Sequence, residues 1–177
     1  MNTRFRPADE RDLDAVCAIY DAVHTEEEAG RAVIGWRRGV YPTRDTAAQA
    51  LARGELYVLE ADGRVAAAGI INRRQMDAYA LGDWKIPAAP EQVLVLHTLV
   101  VDPARAGHGL GPCFAEQYEA LARRLGCRAL RIDTNARNER ARRLYKRLGY
   151  REAGIVPCVF NGLPDVQLVL LEKGLEP

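Results

Sequence analysis

A strand, a glycine-rich turn and a helix follow one another without interruption from Val93 to Leu125, and this succession constrains the fold more than any other part of the chain. Val93 to Asp102 is a mostly apolar run typical of a buried strand, and Pro103 ends it. The turn Gly107-His-Gly-Leu-Gly111 leads directly into the helix. Because backbone N–H groups at a helix N-terminus are unpaired and bind anions, the segment predicts a pyrophosphate site.

The remaining sequence alternates short β-rich runs with amphipathic helical patterns. Asp62-Gly63 and Asn161-Gly162 suit the positive φ angles of tight hairpin turns, so each dipeptide is expected to join two adjacent strands. The predicted strands are 3–6, 55–60, 64–72, 93–102, 128–134, 153–160 and 166–172, and the predicted helices are 9–24, 43–54, 110–125 and 138–148. The order β-α-α-β-β-β-α-β-α-β-β predicts an α/β (α+β) protein, with a mixed sheet and helices on its faces.

Length and charge limit the classes of protein that the chain can belong to. A chain of 177 residues, 48% of them hydrophobic, is expected to fold as one domain over 1–177 without disulfide or metal support. Lys and Arg number 25 against 24 Asp and Glu, which gives a net charge of +1. No overall field therefore attracts nucleic acid or an anionic membrane, and any anion site must be local.

The cysteines and the apolar runs favour a soluble, cytoplasmic protein. The four cysteines form no C-x-x-C pair and lie near no histidine cluster, so we expect neither a metal site nor a redox motif. The amino terminus lacks an apolar signal core, and the run Val93 to Val101 is too short to span a bilayer. No cysteine has the histidine partner of an activated nucleophile, which argues against a covalent intermediate on cysteine. The cysteines are Cys17, Cys113, Cys127 and Cys158.

Two other ligand classes fit parts of the sequence. The glycine turn is similar to an NAD-binding loop, and Asp133 lies about 20 residues beyond it, where the ribose-binding acid would stand. However, the third glycine of that fingerprint falls at Pro112, so NAD is the weaker alternative. A basic stretch can contact nucleic-acid phosphates, but it has no interleaved aromatic platform, and we expect no nucleic-acid partner. Its members are Arg123, Arg124, Arg137, Arg140, Arg142, Arg143, Lys146 and Arg147.

Two motifs stand at a fixed spacing in the second half of the chain. The first is Leu99-Val-Val-Asp-Pro-Ala-Arg-Ala-Gly-His-Gly-Leu-Gly111, and the second is Asn138-x-x-Ala141-x-x-x-Tyr145-x-x-x-Gly149-Tyr150. Together they resemble the strand four, pyrophosphate loop and fourth helix of the GNAT superfamily of acetyl-CoA-dependent N-acetyltransferases. The resemblance implies a GNAT-like fold, whose central mixed, mostly antiparallel seven-stranded sheet carries helices on both faces. It also implies acetyl-CoA as cosubstrate.

The resemblance implies direct acetyl transfer to a primary amine in a ternary complex, with acetyl-CoA between strands four and five where they splay apart. A backbone N–H near a bulge in strand four, around Leu99 to Val101, would stabilise the charge on the thioester oxygen. Tyr145 would protonate the leaving thiolate as general acid, although its helical face alone suggests a core tyrosine. Asn138 would contact the cofactor, and an ordinary helix cap is its alternative role.

The implied cofactor contacts lie in strand four, the glycine turn and the fourth helix. They are Leu99, Val100, Val101, Ala106, Gly107, His108, Gly109, Leu110, Gly111, Asn138 and Tyr145. Two positions depart from the family pattern, because Ala106 stands where the family has Arg or Gln, and Pro112 lacks a backbone N–H. These departures keep open a non-catalytic module that binds acyl-CoA as a sensor or scaffold.

His97 is the first candidate for the general base that removes a proton from the amine. By strand alternation it is expected to share a face with Leu99 and Val101, and an imidazole pKa of about 6.5 suits proton removal near neutrality. A hydrogen-bonded sheet histidine is the equal alternative. Weaker candidates are the loop carboxylates of Glu27, Glu28, Asp83 and Glu91.

The sequence leaves the acceptor open between a small-molecule amine and a peptide amine. The acidic run Glu26-Glu27-Glu28 would attract a cationic amine, but such runs are usually solvated. Loop aromatic residues would either line an acceptor pocket or cover the core, and these are Trp36, Tyr41, Tyr79 and Trp84. We expect no membrane partner, and the sequence leaves a homodimer open.

Overall fold

A computed structural model, which describes residues 1–175, shows seven strands in a single sheet. The strands are β1 (Thr3–Pro7), β2 (Leu56–Ala61), β3 (Arg64–Asn72), β4 (Val93–Val101), β5 (Ala129–Asn135), β6 (Arg151–Phe160) and β7 (Leu163–Gly174). Their spatial order is β1-β2-β3-β4-β5-β7-β6, and β4 and β5 form the one parallel pair within residues 1–175. The expected mixed, mostly antiparallel seven-stranded sheet is confirmed.

Four α-helices cover the two faces of the sheet, as the sequence predicts. They are α1 (Leu13–Glu28), α2 (Arg44–Ala52), α3 (Leu110–Arg124) and α4 (Glu139–Arg147). The helix α1 continues past its predicted end near His24, and a 3-10 turn capped by Asp9 precedes it. Thr43 caps α2, since its hydroxyl accepts a hydrogen bond from the N–H of Thr46 at 3.4 Å.

The helices divide the core between the faces. Phe114 and Tyr118 of α3 are fully buried against one face, together with Leu96 of β4 and Ile132 of β5. On the other face, α1 and α2 cover β2 to β4, where Val16 packs in the same cluster as Val58 and Ala68. Connecting segments cover the rest of that face over β5 to β7, so both sides of the sheet are closed.

One of these connecting segments, residues 73–92, is anchored by the buried carboxylate of Glu172. This group accepts hydrogen bonds from the backbone N–H of Lys85 at 2.7 Å and of Ile86 at 3.3 Å. The indole N–H of Trp84 donates to the carbonyl oxygen of Tyr79 at 2.7 Å, and the ring lies under the guanidinium of Arg131. Tyr79 and Trp84 therefore cover the core, which is one of the two roles that the sequence allows them.

The strands β4 and β5 part after a short stretch of pairing. Their register runs only from Val93 to Leu96 on β4, while β5 stays paired with β7 as far as Asn135. Within residues 1–175, the carboxyl half of β4 has no strand on that side. Tyr118 bridges the two strands where they still touch, because its hydroxyl donates to the carbonyl oxygen of Leu94 at 2.6 Å and lies 3.3 Å from that of Arg131.

A β-bulge interrupts β4 at the point where the strands part. The register with β3 shifts between the pairs Ala68–Val100 and Ile70–His97, and Thr98 adopts a φ of 52°. An extra residue of this kind shifts the alternation of side chains beyond it. Leu99 packs with the α3 core, whereas His97 lies on the α2 side, so the expectation that His97 shares a face with Leu99 and Val101 is wrong.

Candidate active site

A groove of about 800 Å³ opens where β4 and β5 separate. Its walls come from the end of β4, the glycine turn, the end of β5 and the first turns of α4. Most of the residues predicted to contact a cofactor line it, namely Leu99, Val100, Val101, Ala106, Gly107, Gly109, Leu110, Gly111, Asn138 and Tyr145. His108 and His97 do not line this groove.

The glycine turn forms an anion cradle at one end of the groove. Gly107 and Gly109 have φ angles of 85° and 75°, and a Cβ on either would have open space around it, so the backbone conformation requires glycine. The N–H groups of residues 107–111 have no backbone acceptor within residues 1–175, and they stand at the N-terminus of α3. Unpaired N–H groups at a helix N-terminus fit the oxygens of a pyrophosphate.

The two departures from the family pattern affect this cradle in different ways. The N–H of Ala106 donates to the carbonyl oxygen of Pro103 at 3.1 Å, so it is not available to an anion. Pro112 occupies the third position of α3, where a backbone N–H would in any case lack a helical acceptor. The cradle thus begins at Gly107, one residue later than the sequence suggests.

Arginines form a positive rim beside the cradle. Arg140 and Arg147 of α4 line the groove and form no ion pair within residues 1–175. Arg143, between them on the helix, donates to the carboxylate of Glu139 at 2.8 Å. A phosphate-bearing ligand would place negative charge where these guanidinium groups need a partner.

Tyr145 lies in the middle of the groove with its hydroxyl free. The helix α4 places it there, and its ring packs edge-on against Tyr150 with centroids 5.6 Å apart. Its hydroxyl has no hydrogen-bond partner within residues 1–175. Burial raises the pKa of Tyr145, with the nearby Asp133 carboxylate as a second cause, so the hydroxyl keeps its proton at neutral pH.

Asp133 is the residue that sequence reasoning missed, since it was assigned only to the weaker NAD alternative. It lies at the end of β5, lines the groove, and accepts a hydrogen bond from the hydroxyl of Tyr79 at 2.7 Å. Burial raises the pKa of Asp133 from 3.8 to about 6, partly offset by that hydrogen bond. The polar run Asp133-Thr-Asn135 at the carboxyl end of an otherwise buried strand, at the same edge as the glycine turn, indicates such a position.

His97 belongs to a second, smaller cavity of about 480 Å³ beneath α2. Its Nε2 atom is 3.1 Å from the side-chain oxygen of Asn72 and 3.2 Å from the carbonyl oxygen of Arg74. Burial lowers the pKa of His97 to about 4. These contacts match the hydrogen-bonded sheet histidine that the sequence allows, and the placement does not support a role as base in the groove.

The remaining candidates either have structural partners or lie outside the groove lining. Asn138 caps α4, because its side-chain oxygen accepts from the N–H of Ala141 at 3.1 Å, while the residue also lines the groove. Glu28 pairs with Arg38 at 2.9 Å. Glu27, Asp83 and Glu91 lie outside the groove lining.

Among the residues that the structure describes, no group of three or more His, Cys, Asp or Glu side chains is arranged to hold a metal ion. In the same residues, no helix combines the length and the apolar character that crossing a bilayer requires.

Comparison with known proteins agrees with this geometry. The sequence profile of the acetyltransferase (GNAT) family matches residues 16–150 of the chain. No match to a curated protein sequence is found.

Solved structures with the same architecture span nearly the whole chain. An acetyltransferase of the GNAT family from Streptococcus agalactiae is 21% identical with a TM-score of 0.81, covering 99% of this chain and 96% of that one. A Salmonella typhimurium protein assigned as an acetyltransferase, solved with its cofactor acetyl-CoA, is 22% identical with a TM-score of 0.68, covering 98% and 94%. The ribosomal-protein-S18-alanine N-acetyltransferase from Escherichia coli is 20% identical with a TM-score of 0.63, covering 98% and 94%. At these identities the likeness shows a shared fold.

Proposed function

Because the chain belongs to the acetyltransferase (GNAT) family, we propose that it transfers an acetyl group from acetyl-CoA to a primary amine by direct transfer in a ternary complex. The main support for the proposal is that three chemical groups face the same groove. An anion cradle at residues 107–111, the free hydroxyl of Tyr145 and the carboxyl group of Asp133 all face it. They would supply what the reaction requires: an anion-binding site for the cofactor, a general acid and a general base.

The cradle and the open strand edge fit the cofactor. The N–H groups of residues 107–111 would hold the pyrophosphate, and the Salmonella protein of the same fold was solved with acetyl-CoA. The unpaired edge of β4, at Leu99 to Val101, offers main-chain groups to an extended arm in the manner of an added strand. When bound, acetyl-CoA supplies the acetyl thioester that the amine attacks.

Asp133 replaces His97 as our candidate for the general base. A primary ammonium of pKa about 10 must lose a proton before its nitrogen can attack. A carboxyl group of pKa about 6 is ionised at neutral pH and is a stronger base than an ordinary aspartate. Its carboxyl group lines the groove, so an amine bound there would transfer its proton to Asp133 directly or through a water molecule.

Tyr145 is the candidate for the general acid. A hydroxyl that keeps its proton at neutral pH and has no protein acceptor can donate that proton to the leaving thiolate. The backbone N–H groups of the bulged segment Thr98 to Val101 would stabilise negative charge on the thioester oxygen. None of the cysteines within residues 1–175 lines the groove, which supports direct transfer over an acyl-enzyme.

The four cysteines are free thiols that form no disulfide, which supports our proposal of a cytoplasmic protein. Two of them, Cys17 and Cys158, have a pKa raised by burial, so they are held as thiols rather than thiolates. Thiols of this kind persist in a reducing compartment.

Two successive measurements test the proposed function. Calorimetry with acetyl-CoA, coenzyme A and NAD should show binding of both CoA species and none of NAD. Release of free coenzyme A is then followed with a panel of primary amines, with and without the variant Tyr145→Phe. Amine-dependent release supports an enzyme, whereas tight binding of acetyl-CoA without release from any amine would indicate a sensor or scaffold.

A further inference from the structure

The end of the groove away from the glycine turn carries a cluster of apolar side chains beside the charged residues Glu26, Arg31 and Asp133. It lies between the connection from α1 to α2 and the hairpin of β6 and β7. Its lining residues are Val23, Val33, Ile34, Trp36, Phe160, Val166 and Leu168. A surface of this kind binds the hydrocarbon part of a ligand.

The segment that carries half of this surface is held in place before any ligand binds. The Glu27 carboxylate accepts hydrogen bonds from the backbone N–H of Ile34 at 2.5 Å and of Gly35 at 2.9 Å. Gly35 lies directly on the side chain of Asn135, since a Cβ at this position would be 2.3 Å from its Nδ2 atom. The apolar wall is therefore a preformed part of the groove. The carboxylate of Glu27 is bonded to the backbone of this wall and is not available to a ligand.

An aromatic edge closes the apolar end. The rings of Trp36 and Tyr41 meet edge-on with centroids 5.8 Å apart, and Tyr41 meets Phe160 in the same manner at 5.3 Å. Trp36 and Phe160 line the groove, while Tyr41 packs against both rings and lines the second cavity. The two rings that face the groove present hydrocarbon surface to an apolar group placed between them.

The unpaired charge at this end of the groove favours one ammonium group on the ligand and disfavours a carboxylate. Arg31 lines the groove, but its Nε and Nη2 atoms donate to the carboxylate of Glu26 at 2.9 and 2.8 Å, so its charge is already balanced by an ion pair. Glu28 is likewise paired with Arg38. Within residues 1–175, Asp133 is thus the acidic group at this end without a cationic partner.

We propose that the acceptor is a small primary amine with a single positive charge and an uncharged apolar body. Its ammonium group would lie at Asp133, and its body between Trp36 and Phe160. A polyamine or aminoglycoside would place a second cation against hydrocarbon, and a free amino acid would bury a carboxylate without a free guanidinium, both of which carry a desolvation penalty. This inference rests on the proposed acetyltransferase function.

The test uses acceptors that differ in one feature. Phenethylamine and L-phenylalanine share the ring and the amine and differ by the carboxylate, while 3-methylbutylamine and spermidine differ in the number of cations. We expect kcat/KM for each monoamine to exceed that of its partner by about 100-fold or more, since burial of an unpaired charge separates them. A higher kcat/KM for L-phenylalanine, spermidine or an alanine-terminated peptide would overturn the proposal.

Variants locate the binding surface. Trp36→Ala should raise KM for phenethylamine by about 10-fold or more, because hydrophobic contact area is lost, while the Kd of acetyl-CoA stays unchanged. Val159→Ala is the matched control, since Val159 is 69% exposed, lies next to Phe160 in β6 and does not line the groove. An unchanged KM in Trp36→Ala, with a folded protein, would overturn the placement of the apolar body.

The two proposals fail in different ways. Efficient release of coenzyme A with spermidine or amino acids alone would leave the acetyltransferase function standing and overturn the acceptor class. If no amine releases coenzyme A, calorimetry of phenethylamine and L-phenylalanine on the CoA-loaded protein still tests the pocket. Binding of phenethylamine alone would support it, and absence of that binding would overturn it.

Discussion

The hydroxyl of Tyr41 is hydrogen-bonded to the hydroxyl of Thr98, the residue at which β4 bulges. Both side chains are buried, and the bond joins the α1–α2 connection to the wall of the groove. Thr98 holds a φ of 52°, which a β-branched residue rarely adopts, so its surroundings must stabilise that conformation. Thr98 faces the groove and Tyr41 faces the second cavity, so the pair forms part of the partition between the two spaces.

Removal of either hydroxyl should destabilise the fold. We expect Tyr41→Phe and Thr98→Val each to lower the free energy of unfolding by about 1–3 kcal/mol, because each leaves a buried hydroxyl without its partner. The double variant should cost less than the sum of the two single variants, since it removes both polar groups. Urea unfolding of the four proteins measures this, and strictly additive losses would show that the hydroxyls are not coupled.

Asp133→Asn should remove the acidic limb of the pH–rate profile. The wild-type rate should fall as the pH drops below about 6, where the carboxyl group becomes protonated and cannot act as a base. The variant should have a kcat/KM about 100-fold to 10,000-fold lower with no such limb, by analogy with other general bases. A variant that retains the acidic limb would exclude Asp133 from the role.

The same substitution should not weaken folding at neutral pH. Because the pKa of Asp133 in the folded protein lies above its ordinary value of 3.8, ionisation of this group costs stability, and the cost grows as the pH rises from about 4 to 6. An amide avoids that cost and still accepts from the Tyr79 hydroxyl. Thermal unfolding at pH 7 should therefore give Asp133→Asn a Tm equal to or above wild type, which separates a catalytic role from a structural one.

Tyr145→Phe should reduce kcat by about 100-fold to 10,000-fold while the Kd of acetyl-CoA stays unchanged, since only the proton donor is removed. Tyr150→Phe is the control, because Tyr150 packs against Tyr145 and lies outside the groove. Its buried hydroxyl has no partner within residues 1–175, so its loss should not lower stability. Equal kinetic losses in the two variants would contradict the assignment of Tyr145.

His97→Gln should leave kcat within a few-fold of wild type, because the imidazole lies in the second cavity and burial keeps it neutral. Steady-state kinetics at pH 7 decides the matter. A large fall in kcat with unchanged acetyl-CoA binding would return His97 to the mechanism and count against Asp133.

Gly35→Ala should disturb the acceptor end of the groove more than Gly39→Ala. Both glycines have positive φ, with 84° at Gly35 and 76° at Gly39, so both variants carry backbone strain. Only the Cβ at 35 meets the Asn135 side chain, whereas the Cβ at 39 meets nothing within 4 Å. The KM for the amine should therefore rise in Gly35→Ala alone, and equal KM values in the two variants would show that the contact with Asn135 is unimportant.

Local patterns were sufficient to predict most of the fold. The dipeptides Asp62-Gly63 and Asn161-Gly162 adopt positive φ at the expected hairpins, because turn geometry depends on neighbouring residues only. The bulge at Thr98 could be placed only approximately, from the resemblance, since it arises from pairing with β3. The extra residue shifts the alternation of side chains, so His97 and Leu99 lie on opposite faces of the sheet and His97 does not line the groove.

The site was predicted in part for the same reason. The glycine turn and Tyr145 lie within continuous motifs, so the sequence shows them directly. The raised pKa of Asp133 and its hydrogen bond with Tyr79 arise only in the folded chain, because Tyr79 is distant in sequence. The partners of the acidic run also come from the fold, because Glu26 and Glu28 are neutralised by Arg31 and Arg38 after the α1–α2 connection turns back.

The bridge that Tyr118 makes between β4 and β5 lies inside their paired stretch, close to the point where the groove opens. The two strands form a V, whose arms part beyond the pair Leu96–Ile132. One arm carries the backbone edge at Leu99 to Val101, and the other carries Asp133. Any change that altered the spacing of the paired stretch would also alter the separation of the two arms, so a buried residue remote from the chemistry has leverage over the width of the groove.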